Sequence, residues 1–335
     1  MKPLYFVTYL SLFLGLCACD PDSDATPESG GEYEVVVVMN NIAWDGNAGA
    51  LIRAQLSTPI PFLQQAEPSM NFKYVIPEQF NDSTKYARNI LIVTIDKIQF
   101  PNISSPKITR NKWIDDQVII YLNAPDEQTL EAFLTANRTI LTDHFINEEM
   151  KRTGLKLAKS HSNIVLDETK KKFDITIFAS ADIISCKDTA GCLWFSNNAA
   201  TGRTDLLIYS FPYENKETLS VVNLINKRDS IAKIMIPGFK AGTYMTTNRN
   251  NVNYSTTTIG KYCAIIHGLW YLQGDPGISG PFVCYARADE LNKRVVVTEG
   301  FVYEPVREKR NYIRTLETTL QTVRFPDEQE PEIKQ

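Results

Sequence analysis

Three times along the chain, short runs rich in β-branched residues lead to a proline and then to an amphipathic helix. No other feature restricts the fold as much. Runs at 72–76, 89–95 and 117–122 precede Pro125 and a helix reaching residue 150. Runs at 173–179, 193–196 and 206–211 precede Pro212 and a helix over 217–235. Runs at 262–272, 281–286 and 294–303 precede Pro305 and a helix over 309–323. Proline suits a first helical turn, where its missing N–H would have no partner anyway. Acids follow it, Asp126 and Glu127 in one case and Glu214 and Glu217 in the next, as the helix dipole favours. The helices carry apolar stripes, for example Leu130, Leu134, Leu141 and Phe145, or Ile313, Leu316, Leu320 and Val323. Burying these stripes predicts an α+β fold of antiparallel sheets with helices packed on one face, built from three strand-strand-strand-helix units.

Ahead of the first unit, the valine run at 33–39 predicts a buried strand. Asp45 is placed to cap a helix over 47–57, and Pro59, Pro61 and Pro68 enforce an extended link. The stretch 154–163, polar and charged behind the longest helix, divides the body into lobes at 32–158 and 159–325. The acidic, prolyl segment 326–335 reads as a disordered tail.

The first thirty-one residues read as an address. Lys2 precedes an apolar stretch over 4–16, which falls short of the roughly 20 residues a spanning helix needs and fits the core of a secretory signal. It closes on Leu16, Cys17, Ala18 and Cys19, the pattern of a lipobox, with 1–18 removed and Cys19 lipidated. Residues 19–31, acidic, prolyl and without large apolar side chains, form a disordered tether that reaches at most about 40 Å. This reading places the body in the cell envelope, on the periplasmic side or the outer surface, with the lipid as its membrane partner.

Formal net charge is −4 with no basic block, so nucleic acid is not an implied partner. In an oxidising compartment Cys186 and Cys192, bracketing a short polar loop, are the expected disulfide, worth roughly 2 kcal/mol by loop closure. Cys263 and Cys284 lie on consecutive predicted strands whose register no spacing rule fixes. A four-cysteine zinc site ranks below both, because the usual closely spaced ligand pairs are missing. His144, His161 and His267 have no neighbours at ligand spacing, so no metal or cofactor is expected. There is no phosphate-cradling glycine loop and no nucleophile elbow, which makes an enzyme the minority reading. His267, before Gly268 in a predicted strand, reads as a hydrogen-bonded core histidine.

The third unit has the richest cluster. Trp270 and Tyr271 feed a glycine and proline loop over 274–281, and Phe282, Tyr285, Arg287, Glu299 and Tyr303 follow. Aromatic and arginine side chains beside such a loop form the candidate binding surface, although packing under a helix explains the same aromatics. Three functions compete: a membrane-tethered binding or assembly module for an envelope protein or glycan, an envelope hydrolase using carboxylates such as Glu299, and a spacer without ligand.

The run Leu269, Trp270, then Gly280, Pro281, Phe282 and Val283, followed by Glu299, Gly300, Phe301, Val302, Tyr303 and Pro305, resembles a family of Bacteroidetes lipoproteins, domain of unknown function 4837. Lys309, Arg310, Arg314, Leu316 and Glu317 fit the same family, as do Glu67 with Pro68 and Arg88 with Asn89 and Ile90. The resemblance extends over essentially the whole chain behind the tether. It implies a location and no mechanism. Ser279 stands where the family usually has a second glycine beside Gly280. At the family level, Asp188, Thr189 and Ala190 fit the acceptor pattern of periplasmic O-glycosylation, as do Asp82-Ser83-Thr84 and Asp229-Ser230-Ile231.

The address makes a direct prediction. Metabolic labelling with an alkynyl fatty acid should tag the protein, Cys19→Ser should abolish the tag, and Cys17→Ser should spare it; equal labelling of the Cys19 variant would refute the cut site.

Overall fold

A computed structural model describes residues 30–328 apart from Ser104 and Ala190. Cys17, Cys19 and all of the signal and tether before Gly30 lie outside the described residues, as do residues 329–335. The fold is α+β, with two sheets.

The first sheet grows from the valine run. β1 (Glu34–Val38) leads into α1 (Asn41–Asp45) and α2 (Asn47–Leu56), then β2 (Asn71–Val75), α3 (Asp82–Lys85), β3 (Asn89–Ile95), β4 (Lys107–Arg110), β5 (Val118–Ala124), α4 (Glu127–Ala136) and α5 (Ile140–Lys159). The order across the sheet is β2-β1-β3-β5-β4. β1 pairs in parallel with β2 and β3, and β3 with β5; only β4 runs antiparallel. The antiparallel expectation therefore does not hold for this sheet. Helical crossovers such as α1–α2 return the chain to the same end, which parallel pairing requires. The unbroken valines follow from cover on both faces. Val35 and Val37 pack under α2, α4 and α5 with Ile52, Leu130 and Phe145. Val36 and Val38 face a second core with Ile90, Ile119, Phe80 and Trp113. Asp45 does not cap α2, whose N-cap position is Gly46, without a side-chain cap; Asp45 ends α1, whose own cap is Asn40, accepting from the Ile42 N–H at 2.9 Å.

The second sheet is antiparallel throughout. Its elements are α6 (Asn163–Phe173), β6 (Ser185–Thr189), β7 (Cys192–Ser196), β8 (Arg203–Pro212), α7 (Val221–Met235), β9 (Tyr244–Ile259), β10 (Lys261–Gln273), β11 (Asp275–Asp289), β12 (Arg294–Tyr303) and α8 (Arg310–Gln321). The order is β6-β7-β8-β12-β11-β10-β9. The second and third predicted units thus share one sheet, joined where β8 pairs with β12, while the first builds a parallel one. Three copies of a single unit is not the architecture. Residues 173–179 form no strand: Phe173, Ile175, Ile177 and Ala179 are buried at alternate positions under α8, with only an isolated bridge from Thr176 to Arg324. Helices cover both faces of this sheet, not one. α7 buries Leu224, Ile225, Ala232 and Met235 on one side, and α6 and α8 bury Val165, Ile313, Leu316 and Leu320 on the other. Gly300 permits the close approach of α8, since a Cβ there would stand 2.8 Å from the Leu316 Cβ. Proline opens none of the later helices; Pro212 ends β8, and Pro305 lies in the loop before α8.

The two bodies are joined by more than the short link at 160–162. α5 continues through Gly154 to Lys159 and packs against α8, with the Gly154 Cβ position 3.7 Å from Thr318 Cγ2. From the extended link after α2, Glu67 reaches the head of α8. Its buried carboxylate accepts from the Lys309 N–H at 2.8 and 2.9 Å and the Arg310 N–H at 2.7 Å, at a helix start with no cap of its own. The Arg310 guanidinium donates back to the Pro68 carbonyl at 3.0 Å. At the far end, 326–328 are bound and not tail: Asp327 pairs with Lys261 at 2.7 Å and Glu328 pairs with Arg287.

Glu67→Ala would leave two buried helix N–H groups without partners. Urea denaturation should show a loss of about 2 kcal/mol, with Glu67→Gln retaining part of it; an unchanged midpoint for Glu67→Ala would show that the contact carries no stability.

Candidate functional site

Strand alternation divides the residues expected to form a binding surface. Trp270, Phe282, Glu299 and Tyr303 lie on the α7 side of the sheet, and Tyr285 and Arg287 on the α8 side. Trp270, Phe282, Tyr285, Arg287 and Glu299 are all buried, Tyr303 is half-buried, and Tyr271 is partly exposed near the β10–β11 turn. These residues do not make a common surface. Trp270 meets Phe301 edge-on at 5.9 Å, and the Tyr285 hydroxyl accepts from Gln321 at 3.3 Å. Arg287 donates to the Val323 carbonyl at 2.8 Å and covers the Phe325 ring. The backbone requirement sits at Gly280 itself, where a Cβ would stand 2.0 Å from the Val302 carbonyl oxygen; Ser279 is accommodated beside it.

Glu299, the carboxylate named for hydrolysis, is 0% exposed. Arg228 from α7 holds it by two bonds, Nε to Oε2 at 2.9 Å and Nη2 to Oε1 at 2.6 Å. The guanidinium lies 3.8 Å over the Phe282 ring and donates to Thr247 Oγ1 at 2.8 Å. Burial pushes the Glu299 carboxyl up against the pull of Arg228. Buried and bonded through both oxygens, this carboxylate ties α7 to the sheet.

The register also forbids the expected disulfide. Cys186 stands opposite Phe195 and Cys192 opposite Thr189, which sends the two thiols to opposite faces of the β6–β7 hairpin. Cys263 and Cys284 likewise belong to opposite faces of the sheet. Burial pushes the Cys186 thiol up to about 11 and that of Cys263 to about 12, away from the reactive thiolate. Among the described residues no group of three or more His, Cys, Asp or Glu could hold a metal ion. His267 Nε2 lies 3.1 Å from Glu317 Oε1, and Arg314 donates to the other Glu317 oxygen at 2.9 Å. Burial pushes the Glu317 carboxyl up, but the bonds from His267 and Arg314 outweigh it and hold the group below its usual range. Of the acceptor tripeptides, Ser83 and Thr189 are exposed, Ser230 lies within α7, and Ala190 is outside the described residues.

The structure places a groove elsewhere, between α5 and α8. Its volume is about 650 Å³. Met150, Gly154, Leu155 and Ala158 form one wall, one face of α5 at helical spacing that does not turn toward the first sheet. Phe178 and the last turn of α8 with the segment to Arg324 form the other. The His161 ring packs tilted against Phe178 beside it, with centroids 4.7 Å apart and its Nδ1 3.2 Å from the Leu157 carbonyl oxygen. Lys151 and Arg324 line the groove with no carboxylate among its lining residues, and neither has an ion-pair partner among the described residues. Arg324 is held by the Gln321 and Val323 carbonyls at 2.8 and 2.7 Å. A larger cleft of about 720 Å³ adjoins the groove and shares Lys151, Leu155 and Ala158 with it; there Arg152 is engaged with Glu149 at 2.8 Å and Arg110 with Glu148. There Arg88 and Asn89 fix α5 to the sheet: Glu149, buried, accepts from Asn89 at 2.6 Å and pairs with Arg88 at 3.0 Å. Sequence reasoning missed the groove because Gly154 reads as a boundary. The signal was the continuation of the apolar stripe past it to Leu155 and Ala158.

Arg228→Met should cost about 3–5 kcal/mol in chemical denaturation by leaving Glu299 buried and unpaired, and adding Glu299→Leu should recover most of it. Failure of the second change to rescue would assign the pair a role beyond packing.

Residues 162–322 match the family model described as Domain of unknown function (DUF4837), and residues 28–158 match that described as Domain of unknown function (DUF8532). The resemblance expected over the whole chain thus divides between two models, with Glu67, Arg88 and Asn89 in the second of these. No curated protein matches the chain significantly. Among solved structures, a crystal structure from Bacteroides thetaiotaomicron VPI-5482 at 1.50 Å resolution aligns with 13% identity and a TM-score of 0.27, covering 47% of each chain. The chain spans about half the length of that protein. Over two successive stretches, then, the chain is similar to two domain families of unknown function.

Proposed function

We propose that this protein is a membrane-tethered binding module of the cell envelope, and that the groove between α5 and α8 receives a small amphiphile with an apolar body and an anionic head. The observation that carries this reading is the combination of Met150, Leu155, Ala158 and Phe178 on the walls with Lys151 and Arg324 as the charged lining residues among those described, in a chain of net charge −4. Ligand sites are typically concave, mostly apolar and a few hundred Å³ in volume, with few polar groups that fix orientation. The apolar walls take the body of the ligand, and the two cations orient its charge. A glycan fits less well, because Trp270, Phe282 and Tyr285 are buried and offer no exposed platform for a sugar ring. The lipobox and the short acidic tether at 16–31 support the envelope location, and no helix among the described residues is long and apolar enough to cross a membrane.

Calorimetric titration with 8-anilinonaphthalene-1-sulfonate, an aromatic body bearing one sulfonate, tests the groove. Saturable binding is expected, with loss on Ala158→Trp, which fills the space, and weakening by about tenfold on Lys151→Glu, equivalent to about 1.4 kcal/mol. Undiminished binding to Ala158→Trp would remove the groove from the reading.

A further inference from the structure

The two edges of the seven-stranded sheet are finished differently. β6 has five residues and carries Lys187 and Asp188, the latter paired with Lys172. Shortness and charge are common defences against pairing with another chain. β9 has sixteen residues, no proline and a single charge, Arg249. Its start is engaged outside the sheet, by a bridge from Tyr244 to Pro237 and by the Thr247 N–H, which donates to Asp229 at 2.8 Å; its one strand neighbour among the described residues is β10, so the outer backbone groups of its second half face no strand. Most of 249–258 is exposed.

The pairing of β9 with β10 is irregular between Gly268 and Trp270 and regular where Val252 to Ile259 face Gly268 to Lys261. A stretch of that length spans about 27 Å. Its side chains are asparagine, serine and threonine around Val252, Tyr254 and Ile259, and none is charged. Tyr254 is anchored to the body through its hydroxyl, which donates to the Leu219 carbonyl at 3.0 Å.

We infer that residues 252–258 of β9 pair with the same residues of a second copy of the chain, antiparallel about a twofold axis through Ser255, joining two seven-stranded sheets edge to edge. An edge that meets its own copy must not bring like charges together, and residues 252–259 carry none. A twofold axis normal to the sheet keeps every side chain on its own face, so it has to pass through a residue. Passing through Ser255, it sets Asn253 opposite Thr257 and Val252 opposite Thr258. Threonine and asparagine in such positions can hydrogen-bond across the strands. Arg249, outside the self-paired stretch, is turned back to its own body by Asp229 at 2.8 Å and Asn226 at 3.0 Å. One turn before Asn226 on the same side of α7, Val222 is 61% exposed and supplies an apolar contact beside the edge.

The test uses the full-length chain in its membrane. Mild oxidation of Ser255→Cys should give a covalent homodimer on a non-reducing gel, while Lys187→Cys, exposed on the opposite edge and facing Trp194, should give none beyond the wild-type background. In the detergent-solubilised protein, Asn253→Lys with Thr257→Lys sets lysines against each other across the axis and should convert a sedimenting dimer to monomer with an unchanged circular dichroism spectrum. A wild-type monomer at the highest attainable concentration overturns the proposal. So does equal crosslinking from both edges, a Ser255→Cys bond to a different protein, or a dimer that survives the lysines.

Discussion

The arrangement of this protein depends on one carboxylate placed at the head of a helix that belongs to the other half of the chain. α8 begins without a side-chain cap of its own, and Glu67 takes that role from 242 residues earlier in the chain. A buried helix start cannot leave its N–H groups without acceptors, so the pairing decides how the link after α2 lies against the second body. Arg310 reinforces it by donating to Pro68 and lying over the Tyr33 ring. α8 in turn closes the lower face of the seven-stranded sheet over Gly300 and forms one side of the groove against α5. Sheet cover, docking of the two bodies and groove shape thus share one anchoring contact.

The elements that local pattern specifies were legible in the sequence. The valine run, the stripe of α8 and the strands of the third unit stand where periodicity places them, whereas the single helix expected from Pro125 to residue 150 is broken at 137–139 into α4 and α5, which divide its stripe. What it could not supply was the choice of partners. Parallel pairing of β1, β2, β3 and β5 depends on crossovers that bring distant strands together, and short apolar runs read alike in either direction. The aromatic cluster was visible as residues but not as two faces, because a period of two sends Phe282 and Tyr285 to opposite cores. The same alternation separates Cys186 from Cys192 across a hairpin that holds them close in sequence.

The groove was half legible. Met150, Gly154, Leu155 and Ala158 repeat at helical spacing, yet the glycine and the surrounding charges read as a break. The helix runs on through the glycine, with Thr318 of α8 at ordinary van der Waals distance from its Cβ position. The opposite wall is assembled from Thr176, Phe178 and the segment behind α8, which the bridge between Thr176 and Arg324 and the bond from the Phe178 N–H to Thr322 Oγ1 at 2.9 Å bring side by side. The buried Arg228 and Glu299 pair was hidden for a related reason: its members are 71 residues apart and join only when α7 lies on the sheet.

The groove has one wall from each body. Anything held between α5 and α8 therefore touches both, and its binding free energy is also a docking free energy. The coupling is reciprocal: an occupant tightens the junction, and a tighter junction improves the affinity for the occupant by the same factor. If the proposed ligand binds there, the long helix at the junction would report, as a change in how firmly the two halves are clasped, whether the space between them is filled.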